Sequence, residues 1–139
     1  MKEPEKIVVE KMMANDFFSQ WLGIEILEVG VGVCKLRMRV RKEMLNGFGI
    51  AHGAITYALA DSSLAFASNS RARKCVSVET SISHTLAVKE NEVLTSLVTE
   101  QHLSNKIGIY QIIVTRETGE TVAIFKGTVY RTNEEWIIN

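Results

Sequence analysis

Residues 46–61 read NGFGIAHGAITYALAD. The stretch begins as a loop punctuated by Gly47 and Gly49. At His52-Gly53 it passes into an apolar run that ends only at Asn69. Over that run nearly every side chain is apolar or small, whichever way a helix is turned. Such a helix is buried on most sides, and its alanines let other backbones come close. The pattern predicts a long helix over 52–69 that other elements must enclose.

The flanks supply strands to do so. Downstream lie CVSVETSISHTLAV (75–88), EVLTSLVTEQHLS (92–104), IGIYQIIVTRE (107–117) and TVAIFKGTVYRT (121–132), with ETGE as a turn between the last two. Upstream, Ile24, Ile26 and Glu28 alternate, and Gly30 and Gly32 mark a turn or bulge. Val33 disturbs the period. Beyond it Cys34, Leu36, Met38 and Val40 share one face, and Lys35, Arg37 and Arg39 share the other. That period of two makes the basic stretch CKLRMRVRK the solvent face of a strand. A first helix is expected over roughly 5–21, broken near Asn15-Asp16, with Phe17, Phe18, Trp21 and Leu22 at helical spacing. Helix, two strands, long helix, four strands is the order of a single α+β domain over 1–139, an antiparallel sheet packed on one central helix.

The 139 residues are enough to bury a core without staples, and the formal net charge of zero gives no strong field toward nucleic acid or membrane. Cys34 and Cys75 have no metal-ligand spacing and are expected to be reduced in a cytoplasmic protein. The N-terminal MKEPEKIVVEKMM lacks the apolar core of a signal peptide, and no run is long enough to span a bilayer. His84 and His102 pair with no acid at ligand spacing, so no metal is assigned.

Inside the long helix sits one carboxylate, Asp61. An ionised acid there is costly without partners. It could face a solvent seam, bond to Ser62, Ser63 or a strand, join an ion pair, or do chemistry. The helix start favours chemistry, because its first N–H groups have no internal partner and carry partial positive charge. They stabilise an anion or a developing oxyanion. Gly53, lacking a side chain, lets a substrate come close, and His52 could fix the loop by bonding a loop carbonyl. Gly53 and Asp61 are eight residues apart, about 12 Å at the helical rise. One carbonyl group cannot touch both on one straight helix. If they cooperate, they come from two copies, and antiparallel central helices in a two-fold dimer would create two composite sites.

Asn46-x-x-Gly49-x-x-His52-Gly53, then ALADSSLAFASNS, VSVETSISHTLAV and AIFKGTVYR, resemble the hotdog-fold acyl-CoA thioesterases, most nearly the phenylacetate-degradation (PaaI-type) branch, over about 21–131. The resemblance implies a sheet wrapped around the central helix, a homodimer with a continuous sheet, and a homotetramer as a dimer of dimers. It implies hydrolysis of small aryl- or acyl-CoA thioesters, with coenzyme A as part of the substrate and no other cofactor. It makes Asp61 the nucleophile or general base and the Gly53 N–H the oxyanion donor. Asn46 would sit beside the reacting group, His52 would support the loop, and Ser77 would hold a water or the acyl group. Lys106 and Arg131 are candidates for the CoA phosphates. Where the family usually has His-Gly-Gly, this chain has Ala54 in the third place, which puts substrate fit in question. The rival expectations are a hotdog hydratase or dehydratase, which needs a His–acid dyad or a proline at the helix start, and a non-catalytic acyl-CoA binding module.

Overall fold

A computed structural model describes all 139 residues. Six strands form one antiparallel sheet: β1 (Glu25–Gly30), β2 (Val33–Arg39), β3 (Arg73–His84), β4 (Val93–Leu103), β5 (Ile107–Arg116) and β6 (Thr121–Glu135), in the spatial order β1-β2-β4-β5-β6-β3. Helix α3 (Gly53–Asn69) lies against the sheet and touches β2 through β6. Its chain-order position between β2 and β3 makes β3 cross to the far edge, beside β6.

The alternation read from the sequence places the core. Cys34, Leu36, Met38 and Val40 are buried while Arg37 and Arg39 face solvent. Leu59, Leu64 and Phe66 of α3 fill the space against Leu94, Ile112, Val114 and Phe125 of the sheet, in one continuous cluster. The close approach has a specific cause on β6. A Cβ at Gly127 would meet a Leu64 methyl at 2.4 Å, so only glycine lets the helix sit this near. The buried serines at the middle of α3 are paired in the same packing. Ser63 Oγ contacts Ser96 Oγ at 2.6 Å and donates to the Leu59 carbonyl at 2.8 Å.

The N-terminal region departs in detail from the expected helix. Glu3–Glu5 (α1) continues as a wide π-type helix over Lys6–Met12 and a 3-10 turn over Met13–Asn15. The break falls where the sequence placed it. Asp16 caps helix α2 (Phe17–Leu22), accepting from the Ser19 N–H at 2.9 Å, and Gly23 ends α2 at φ 75°. The helical spacing of the aromatic residues is real, but their face is not buried: only Leu22 is covered, and Phe17, Phe18 and Trp21 lie open. The alternation through Ile26 and Glu28 is interrupted by a bulge. The segment 85–88 read as strand leaves β3 as a loop, and β6 runs three residues further than read, to Glu135.

Candidate active site

The loop before α3 is built by its own side chains. Asn46 Oδ1 accepts from the Phe48 N–H at 2.9 Å and from the Ile50 N–H at 3.3 Å. Gly49 takes φ 79°, and the His52 N–H donates to the Met44 carbonyl at 2.8 Å. Asn46 therefore spends its oxygen on the loop and keeps its amide N–H groups to donate. Contrary to the expectation that the His52 side chain bonds a loop carbonyl, it makes no such bond. It caps the helix: Nδ1 accepts the Ala54 N–H at 3.0 Å, which requires that nitrogen to be unprotonated. The Ala54 amide is thus consumed, and the Ile55 N–H donates to the His52 carbonyl at 2.9 Å. The Gly53 N–H has no acceptor in the chain. It is the helix-start donor left free.

Gly53 opens onto a cleft of about 350 Å³ lined also by Asn46, Thr56, His84 and Leu86. A Cβ at Gly53 would stand 3.2 Å from His84 Nε2. Sequence spacing alone gives His84 no role, because its place depends on how β3 returns along α3. That return is the organising feature of the site. His84 stands over Gly53, Thr80 Oγ1 meets the Tyr57 hydroxyl at 2.6 Å one helical turn on, and Ser77 joins Asp61 in a second cavity one turn further.

That second cavity measures about 60 Å³ and is lined by Asp61, Leu64, Ala65, Ser68, Cys75 and Ser77, with Val129 at its wall. Asp61 is half-buried and has no hydrogen bond or ion pair from its own chain. Its serine neighbours are occupied elsewhere, Ser62 with Ser19 at 2.8 Å and Ser63 with Ser96. Burial raises the Asp61 pKa, and the charge of Asp16 raises it further. Burial likewise pushes the Cys75 thiol up, and that of fully buried Cys34 to about 12. Gly53 and Asp61 therefore occupy separate cavities at different heights of one helix.

Lys106 is exposed in the β4–β5 turn, and its carbonyl accepts from the Arg131 N–H at 2.8 Å. The Arg131 guanidinium donates to the Ser104 carbonyl at 2.6 Å and leaves Nε without a partner. Arg73 donates to Asn105 Oδ1 at 3.0 Å and to the Asn105 carbonyl, so the turn is held by two cations bonded to neutral oxygens. No cluster of three or more His, Cys, Asp or Glu side chains is arranged to hold a metal, and no helix is long and apolar enough to cross a membrane.

The thioesterase superfamily matches residues 48–123. The acyl-coenzyme A thioesterase PaaI of Escherichia coli is 31% identical over 120 residues, 86% of this chain and 86% of that protein. The structure of the E. coli PaaI protein, from the phenylacetic acid degradation operon, superposes with a TM-score of 0.88 at 29% identity over 91% of each chain. A mutant of the phenylacetic acid degradation protein PaaI from Thermus thermophilus gives 0.81 at 33% identity, covering 84% of this chain and all of that one. The chain belongs to the thioesterase superfamily: a thioester hydrolase with the hotdog fold.

Proposed function

We propose that the chain hydrolyses small aryl- or acyl-CoA thioesters at sites shared between two copies. The observation that carries this reading is a pair of unsatisfied groups on one helix: a half-buried carboxylate with no donor, and an amide N–H with no acceptor. Each is costly alone. Each is explained if a thioester carbonyl lies between Asp61 of one subunit and Gly53 of the other.

In that arrangement the carbonyl oxygen accepts from the Gly53 N–H at the positive end of α3, where negative charge develops. The Asp61 carboxylate attacks the carbonyl carbon and CoA thiolate leaves, or the carboxylate takes a proton from the water that attacks. In the first route a mixed anhydride forms, and water then cleaves it to the free acid. Burial makes the carboxylate a stronger base than an exposed one. The Asn46 amide and the His52 Nε2–H are proposed as further donors beside the carbonyl and the sulfur, in a cleft that His84 and Thr56 also line, and Ser77 stands where it can hold the water or the acyl group. Lys106 and Arg131 remain the proposed contacts for the CoA phosphates, Arg131 through a guanidinium already fixed by Ser104. PaaI of E. coli carries its acyl-CoA thioesterase name at a level of identity that supports the same substrate class here.

The sheet edges support two copies. β3 is twelve residues long, pairs only with β6, and exposes Val76 by 55% and Val78 by 60%. A long apolar edge is a template for another strand, and the β3 of a second copy would complete it. The direct test is free-thiol release from a panel of aryl- and straight-chain acyl-CoAs by the native protein and by Asp61→Asn. Release by the native chain alone is expected. Equal release by both would remove Asp61 from the chemistry.

A further inference from the structure

Three rings are hidden in the core: Phe66, Phe125 and Tyr110 are at most 1% exposed. The four most exposed aromatic side chains are Phe48 at 90%, Phe17 at 74%, Phe18 at 58% and Trp21 at 51%. They lie in two segments only, the loop before α3 and the helix α2. Both are tied down by hydrogen bonds. The Asn46 side chain fixes the loop through the Phe48 N–H, and α2 is tied to α3 by the Ser19–Ser62 contact of 2.8 Å. Phe18 stacks on Trp21 at 6.2 Å, and Arg41 covers the Trp21 ring at 5.0 Å. Phe17 has neither cover.

Each segment flanks one half of the shared site. Ser62 follows Asp61, and Asp16, next to Phe17, is near enough to raise the Asp61 pKa. Phe48 lies between Asn46 and Gly53. Any arrangement that brings Gly53 of one subunit to Asp61 of the other also brings the Phe48 loop toward α2. We propose that Phe48 of each subunit packs against the aromatic face of α2 in its partner, Phe17 foremost, as an aromatic clasp beside each shared site. This rests on the shared-site reading. The occupant of both open faces is then a second copy of this chain, because one contact covers both sets of rings and continues the interface that the site requires.

The test is a double-mutant cycle on subunit exchange between tagged and untagged native, Phe17→Ala, Phe48→Ala and doubly substituted proteins. Circular dichroism confirms that each is folded. Either single variant loses two such aromatic pairs per dimer, which corresponds to exchange accelerated about tenfold to a hundredfold, with the double variant no faster than the singles. Native exchange rates in the singles, or multiplied effects in the double, would overturn the clasp. So would variants that raise KM without altering exchange, since the rings would then be touching substrate instead. The shared site is scored separately, by mixing inactive Asp61→Ala and Gly53→Pro chains. Recovered turnover with uncoupled exchange removes the clasp alone, whereas no recovery in chains that do exchange removes both.

Discussion

At Asp61 the fold keeps a carboxylate half-buried without a donor from its own chain, and its protonation links stability to activity. Burial raises its pKa, and Asp16 adds to the shift. With the folded value above the unfolded one, the native state binds the proton more tightly. The stabilisation is complete at low pH and is lost as pH rises through the raised value. At neutral pH the ionised carboxylate therefore opposes folding. Asp61→Asn should melt at a higher temperature than the native protein near neutrality, with the difference shrinking as pH falls into the ordinary carboxylate range. A lower melting temperature at neutral pH would mean that the charge is satisfied. Activity has the opposite dependence, because the reaction needs the ionised form. Asp16→Asn retains a good N-cap for α2 and removes the like charge. The acid limb of its kcat/KM profile should move to lower pH yet stay above the ordinary carboxylate range, since burial is the larger cause. An unmoved limb would show that the field of Asp16 does not act on the reacting group. Asp61 was legible in the sequence because it interrupts an apolar run. Asp16 was legible only as a cap, since its nearness to Asp61 comes from the packing of α2 on α3.

The elements were legible where a period decides them. Alternation along β2 named its buried face residue by residue, and the long apolar run gave α3 to within one residue at its start. Spacing says which residues share a face, not what the face meets, so the open aromatic side of α2 was out of reach. So was His84, whose position over Gly53 depends on a strand advancing about 3.3 Å per residue beside a helix advancing about 1.5 Å. Two substitutions test the elements themselves. Gly53 is the first residue of α3, where proline is well tolerated, and His52 before it has the extended conformation that proline demands, φ −60° and ψ 139°. Gly53→Pro should keep the helix by circular dichroism and lower kcat by about 10²–10³ through loss of the donor N–H. Retained turnover would place the oxyanion elsewhere. Gly127→Ala drives a methyl into Leu64 across the sheet–helix contact. It should cost about 1–3 kcal/mol in denaturant unfolding, and a neutral result would mean that α3 can shift away from β6 without loss.

For the whole molecule, the decisive quantity is the length of helix between the two reacting groups. Gly53 and Asp61 belong to one uninterrupted α-helix, so about 12 Å of rise separates them, and they open into different cavities. The exposed β3 edge sits on the strand that lines both cavities, through His84 at one end and Ser77 and Cys75 at the other. Pairing that edge with its copy in a two-fold assembly would run the strands, and the helices beneath them, in opposite directions. In a register whose two-fold axis falls midway between Ser77 and His84, each Gly53 would stand at the height of the other subunit's Asp61. A mixture of Asp61→Ala and Gly53→Pro chains follows from this geometry. Each homodimer lacks one essential group at both sites. A heterodimer has one site missing both groups and one site with both intact. If the chains exchange at random, half the dimers are mixed and each carries one native site of two, so turnover should return to about a quarter of native. The mixing experiment, followed by thiol release and by native mass spectrometry to count heterodimers, separates the arrangements. Recovery that tracks the heterodimer fraction fits sites built across the interface. If heterodimers form and turnover stays at the level of the separate variants, each site lies within one subunit, and a carbonyl held at Gly53 must then be attacked by some group other than Asp61.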